Sequence, residues 1–342
     1  MDTATLIAQA YEEAELRLTA LLARRAAAGM SSGYDLWARR KLAEIQALRR
    51  AVQAQIADLE SVTARLLLEG FTEAAREAVA AASADVLRVT GQTTPAIAGD
   101  PRVIRLLAEE TASRLQVSHL AILRQTDDAY RQVMAQVSAR MATGTLTLPQ
   151  AVQQALFQFA GQGISGFTDR AGRSWGLREY AEMTVRTSEM AARTDAALTR
   201  YGQLGQDLVI VSDSPEECER CAIFEGKVLS IKGDGQHQTV AEATGGGLFH
   251  ANCTHSLGVW VEGLSRPLHA EANPQGYEER QRQRYLERRV RDWRRREAAA
   301  VTERGRRQAR AGLVRARAAH DEFVAGTDRL RQQNRLYLMR GA

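Results

Sequence analysis

Apolar residues recur at spacings of three and four through most of the first 160 positions, with charges filling the intervals. That periodicity predicts amphipathic helices, clearest across 42–59 and 103–141. In the second stretch Val103, Leu106, Leu107, Leu115, Leu120 and Ile122 are expected to line a core face. The segment GQTTPAIAGDP (91–101) combines two glycines with two prolines and marks a break. A second break falls at 144–149, where Thr147 can cap a new helix that carries Pro149 in its first turn. At position 161 the pattern changes. GQGISGFTDRAGRSWG holds five glycines in sixteen residues and reads as short strands and turns. Helix resumes near 177 and runs to about 201, followed by a β-like apolar run at 208–211 and a turn at 212–215. Residues 232–247 are polar and Gly-rich and are expected to form a mobile loop. Beyond 263–267 the chain turns helical and basic. Leu286, Val290 and Trp293 make an i, i+4, i+7 stripe, giving that helix one packed face and one arginine face. No internal repeat with a period of 20–50 residues is present.

These elements predict a predominantly α-helical α+β fold in three parts. Residues 1–160 form a long-helix docking region, 161–265 a small metal-stapled α+β domain, and 266–342 a basic helical arm. A chain of 342 residues accommodates two or three domains. With six prolines the helices can run long, and with 6% aromatics the core must lean on Leu, Val and Ala. The start, MDTATLIAQAYEEAELRL, places four acids before its first arginine, unlike a secretory signal. No stretch approaches the roughly 18 apolar residues of a membrane span, so no membrane is expected as a partner. Three cysteines do not suit a disulfide framework, and synthesis in a reducing cytoplasm is expected.

The net charge of +5 conceals an asymmetry. Residues 271–342 carry 19 arginines against 10 acids, while the first 270 carry 27 basic and 31 acidic residues. A shift of that size gives the tail its own surface and partner. Lysines are confined to Lys41, Lys227 and Lys232, which a GC-rich genome explains as well as a preference for bidentate phosphate contacts does. The face carrying Arg288, Arg291, Arg294, Arg295 and Arg296 suits phosphate neutralisation without base reading. Glu279, Glu287, Asp292, Glu297 and Glu303 interleave with these arginines, so a protein partner is the competing expectation.

The sharpest local chemistry is Cys218-Glu-Arg-Cys221 followed by His250-Ala-Asn-Cys253-Thr-His255. A C-x2-C pair lets two thiolates face one ion from a single turn, and H-x2-C repeats the geometry from a second. All three cysteines and three of the six histidines fall within this 38-residue window. Cys218, Cys221, His250 and Cys253 are therefore the expected ligands of a structural Zn2+, with His255 as the alternative fourth ligand or an orienting hydrogen-bond partner. Buried thiols packing as small hydrophobes are the competing reading. A redox C-x-x-C does not suit the charged flanks Glu216, Glu217, Glu219 and Arg220. A catalytic metal would need a general base. Glu225 and Asp234 are near in sequence but at no recognisable spacing, and His237 is the spare histidine that a zinc-stapled nuclease would use. The H-x-E and P-C-x-x-C pattern of deaminases is absent. No catalytic residues are expected.

Four stretches together carry a resemblance: FTDRAGRSWGLREYAEMTVRTSEMAART (167–194), VSDSPEECERCAIFEGKVLSI (211–231), LFHANCTHSLGVWVEG (248–263) and YEERQRQRYLERRVRDWRRREAAA (277–300). Their order is the specific feature: D-x-x-G-x-x-W, a helix with Arg-Thr, C-x2-C before Gly-Lys-Val, then H-x2-C-x-H. The segment 163–300 resembles the minor capsid proteins of tailed phages, the minor capsid protein 2 family and relatives of the head-morphogenesis protein F of phage Mu. By that resemblance Asp169, Gly172 and Trp175 match the first motif, and Arg186 and Thr187 the second. Ala251 departs from it, because relatives usually place a proline after the histidine. The resemblance implies a low-copy structural virion protein, inside the capsid or at the portal vertex. Its expected partners are the portal protein, other capsid or head proteins, and packaged double-stranded DNA. The competing functions are an enzyme, either a zinc-stapled nuclease or a toxin-like transferase, and a non-phage DNA-binding module. A toxin-like activity would give Arg186 a role, whereas its ordinary one is an ion pair with Glu182 or Glu189 along the helix.

Overall fold

The computed structural model describes residues 2–336, apart from 94, 96–99, 145, 169–171, 173, 215–218, 252 and 268–272. The fold is predominantly helical with a small antiparallel sheet. The chain runs through α1 (Thr3–Ala27), α2 (Tyr34–Ala43), α3 (Ile45–Thr90), α4 (Pro101–Ala142) and α5 (Leu148–Gln162). A hairpin of β1 (Ser165–Thr168) and β2 (Ser174–Gly176) leads into α6 (Leu177–Gln203). Then come β3 (Leu208–Val211), α7 (Glu219–Ala222), β4 (Val228–Ser230), α8 (Val240–Gly245) and β5 (Leu257–Val259). The chain closes with α9 (Pro274–Ala298), α10 (Glu303–Ala325) and α11 (Gln333–Leu336). It divides into two compact units, one of residues 1–4, 64–113 and 182–278, the other of 5–63, 114–181 and 279–342.

The second unit is helical. From α1 it buries Ile7, Tyr11, Leu18 and Leu22; from α3, Leu48, Val52, Ile56 and Leu59; from α5, Ala151, Val152, Ala155 and Leu156. All three rows follow the three-and-four spacing of one helix face. The expected core face of α4 needs correction: Val103, Leu106 and Leu120 are exposed, at 37%, 65% and 61%, while Leu115 and Ile122 are buried. The buried row runs Ile104, Ala108, Thr111, Leu115, Ser118, Ile122, Thr126. Its hydroxyls can be buried because each donates to its own helix: Thr111 to Leu107 O, Ser118 to Leu115 O and Thr126 to Ile122 O, at 2.6–2.7 Å. Thr147 caps α5 as its spacing predicts, and the Gln150 side chain accepts the Thr147 N–H at 2.9 Å.

Buried ionic groups tie α9 into this unit. Glu12 holds Arg178 and Arg294, each at 2.8 Å, and Arg291 meets Glu179 at 2.8 Å. Arg295 lies 3.5 Å from Glu15, whose carboxylate also accepts the Ile164 N–H at 3.0 Å. Burial pushes the Glu15 carboxyl above its ordinary range, with Arg295 opposing. In Glu179 burial acts the same way, but Arg291 outweighs it and holds the carboxyl below its usual range.

One side chain organises the turn between α9 and α10. Gln153, buried in α5, accepts from the N–H groups of Val301 and Thr302 at 2.8 and 2.9 Å and from the Thr302 hydroxyl at 3.1 Å, and donates to Ala299 O at 3.3 Å. Gln153→Leu keeps the volume and strands those donors. Each buried donor left unmade costs about 1–3 kcal/mol, so the variant should lose about 2–3 kcal/mol in a denaturant titration. A midpoint unchanged from wild type would remove Gln153 from this role.

The first unit holds the sheet, in the order β4-β3-β5, all antiparallel. Among the described residues the outer edge of β5 meets no further strand: Asp85 accepts the Val259 N–H at 2.6 Å, and the Tyr201 hydroxyl faces Leu257 O at 3.5 Å. Side chains thus close an edge that would otherwise offer unpaired backbone groups. The expected loop at 232–247 is a second correction, because it carries α8. Thr239 and Glu242 form a capping box there, and Asp234 accepts from the N–H groups of Gln236 and His237.

Candidate metal centre

β3 delivers the chain into the cysteine region, and β4 takes it back. After Cys221, at the end of α7, the Phe224 N–H donates to Cys221 O at 2.8 Å. Gly226, at φ 68°, then turns the backbone so that its N–H reaches Val211 O. The second arm follows α8. Gly247 has φ 116° and Phe249 φ 58°; the latter is a left-handed backbone that costs a bulky residue about 1 kcal/mol or more. That strained residue immediately precedes His250, and the Cys253 N–H closes the following turn on His250 O at 2.9 Å.

Cys221, His250 and Cys253 converge, with their ligand atoms all within 4.8 Å of one another. The two sulfurs are 3.6 Å apart, far beyond the ~2.05 Å of a disulfide. Two thiolates at about 2.3 Å from a tetrahedral zinc would sit about 3.8 Å apart, so the spacing fits one ion. His250 Nδ1 is 2.8 Å from Ala251 O. Donation from that nitrogen leaves Nε2 as the ligand atom. Both sulfurs belong to an apolar cluster with Val86, Tyr201, Val209, Phe224, Leu229, Leu248 and Val259. The three residues can therefore hold a metal. Cys218, the remaining expected ligand, lies outside the described residues.

His255 is placed differently. Its Nδ1 is 3.3 Å from Cys253 Sγ, and its Nε2 is hydrogen-bonded to Glu225, so both ring nitrogens are taken. The bond to Cys253 raises its pKa to about 9, against the pull of burial and helped by Glu225. Burial works against the Cys253 thiolate, but hydrogen bonds from His255 and Cys221 outweigh it and hold the thiol below its ordinary range. No local spacing reports the Glu225 contact with His255, because the two are thirty residues apart. His237, at 2.6 Å from Asp234, forms a separate pair.

The other singled-out residues have plain surroundings. Arg186 pairs with Glu182 at 2.8 Å, and the Thr187 hydroxyl donates to Met183 O, both within α6. Gly172 takes φ 77° before β2, which carries Trp175, while Asp169 lies outside the described residues. Of the five arginines expected to face a polyanion, Arg291, Arg294 and Arg295 hold Glu179, Glu12 and Glu15. Arg296 lies over the Trp293 ring at 4.7 Å, and Arg288 is exposed.

Comparison with known proteins agrees in kind. The chain is 27% identical over 186 residues to a "Structural protein" of Lactococcus phage LL-H, covering 50% of each. It thus spans about half the length of that curated relative. No solved structure matches it. Residues 3–325 match the family described as phage minor capsid protein 2, well beyond the 163–300 segment that carries the resemblance in sequence. With nearly its whole length matched, the chain belongs to the phage minor capsid protein 2 family.

Proposed function

We propose that this chain is a structural protein of the phage head, stapled by one Zn2+ and assembled with the portal and other head proteins. The observation that carries this reading is the family match across residues 3–325. The name of the Lactococcus phage relative supports it. In this reading 1–160 is the docking region, 161–265 the zinc-stapled part and 266–342 the basic arm, with packaged duplex DNA as a further partner. The protein is made in the host cytoplasm and resides in the virion, inside the capsid or at the portal vertex.

The zinc is held by Cys218, Cys221, His250 and Cys253, while His255 binds the Cys253 sulfur and orients it. Its role is structural and not catalytic. Cys221 and Cys253 are 0% and 6% exposed and sit in the small core, which suits a closed site. Quantitative mass spectrometry of purified particles tests the assignment. The chain should be present at a small fraction of the major capsid protein, and should co-purify with portal vertices after gentle disruption. Its absence from particles would overturn the structural role, and its loss from portal fractions would overturn the location.

A further inference from the structure

Sequence periodicity puts the polyanion face on α9, but three of the five arginines expected there are engaged inside the protein. Arg291, Arg294 and Arg295 each hold a buried or half-buried carboxylate at 2.8–3.5 Å. Turning them toward phosphate would leave Glu12 with Arg178 alone and would take Arg295 from Glu15 and Arg291 from Glu179, and breaking a buried pair costs several kcal/mol. Arg296 is stacked on Trp293.

Helix α10 is arranged the other way. Its inner row, Gly305, Ala309, Gly312, Leu313, Ala316 and His320, is buried. Gly312 in that row lies where a Cβ would collide with the Trp293 ring, so this face is filled by α9. Its outer side is exposed at Arg304, Arg306, Arg307, Arg310 and Arg315. Among the described residues Arg304, Arg306 and Arg315 have no carboxylate within ion-pair distance. Arg307 meets Glu303 at 3.4 Å with both side chains about three-quarters exposed, and Arg310 meets Glu297 at 3.4 Å. Exposed pairs of this kind are worth about 0–1 kcal/mol and readily exchange for phosphate.

At 3.6 residues per turn, Arg304 and Arg315 point within about 20° of one another and stand about 17 Å apart along the axis. Arg306 and Arg310, one turn apart, form a row on the opposite flank. Between the rows run Ala311, Val314 and Ala318, two of them too small to hold a backbone away. Three of these arginines also occupy the helix's first turn and a half, where the macrodipole disfavours cations by about 0.3–1 kcal/mol each. An anion lying across that end removes the penalty.

We propose that the outer face of α10, with Arg304, Arg306, Arg307, Arg310 and Arg315, is the surface that lies along a duplex phosphate backbone, while Arg291, Arg294 and Arg295 of α9 are internal ties. This rests on the reading of packaged DNA as a partner and moves its contact from one helix to the next. The proposed contact is to backbone phosphates, which carry no sequence information, so binding is expected to ignore sequence.

The test uses the full chain and a labelled random-sequence duplex, titrated with salt from about 50 to 200 mM. Wild type should bind with a steep log–log salt slope. Arg304→Gln/Arg307→Gln/Arg315→Gln should flatten that slope by up to about 2.7, at about 0.9 per phosphate contact, with an unchanged thermal melt. A steep wild-type slope that the triple variant leaves intact would overturn the α10 placement and leave DNA as a partner elsewhere. No binding by wild type at about 50 mM would remove the DNA reading altogether. Salt-insensitive binding to assembled heads that Val314→Asp abolishes would assign the face to a protein and overturn the proposal.

Discussion

Cys221→Ser is expected to leave the purified protein without metal and to loosen residues 208–260, while the helices of the other unit keep their protection. The sulfur is fully buried, 3.6 Å from that of Cys253, and belongs to the same apolar cluster as the strands. Those strands are only three and four residues long, so the sheet has few ladder bonds of its own. A structural zinc supplies about 10–16 kcal/mol of apparent binding free energy in comparably small modules, and that energy is folding energy. Elemental analysis of wild type should give about one zinc per chain, and hydrogen exchange should locate the loosening in the variant. The histidines separate by role. His250→Ala should lose the metal, His255→Ala should retain it about 10–100-fold more weakly because it removes only an orienting bond, and His237→Ala should change neither. Wild-type protein that is folded and free of metal would end the zinc hypothesis.

Residue identity and spacing make this site legible in the sequence. Thiolate and imidazole at x2 spacing have few other reasons to recur within 38 residues. The same holds for elements announced locally: the Gly/Pro segment between α3 and α4, the Thr147 cap, and the glycines around the β1-β2 hairpin. Helix α8 is equally announced, by Thr239 and Glu242, but the glycines around it mask the signal. On α4 the bulk of the side chains points to the wrong face, because fit decides which row is buried. Thr111 and Ser118 are buried on hydroxyls satisfied by their own helix, whereas Leu106 and Leu120 lie on the other side. Pairing at long range is what periodicity does not disclose. Glu12 finds Arg178 166 positions away and Arg294 282 away. Nothing in the pattern around Arg294 distinguishes an arginine that ties two helices together from one that waits for a phosphate. That difference is the ground for proposing the polyanion face on α10 and not on α9.

Glu12→Ala should therefore be among the most damaging single changes outside the metal site. One carboxylate serves two guanidinium groups, and Glu12 and Arg178 have side chains only 4% and 3% exposed, Arg294 10%. Removing it takes from two buried guanidinium groups the carboxylate they share, and breaking a buried pair costs about 3–5 kcal/mol. At about 2–4 °C per kcal/mol for a domain of moderate size, the melt should fall by on the order of 10 °C. Glu13→Ala is the matched control. It removes a carboxylate from the next position of the same helix, but its pair with Arg17 is half-exposed and should be worth less than about 1 kcal/mol. The cause can be separated from simple loss of packing, because the damage belongs to the broken ion pairs. Glu12→Leu/Arg178→Met/Arg294→Met removes all three charges while keeping the volume, and buried ionic clusters exchanged for apolar groups are often neutral or stabilising. The triple variant should regain most of the stability that Glu12→Ala loses. If Glu12→Ala melts with Glu13→Ala, the network contributes nothing measurable, and the arginines of α9 are again available for a partner.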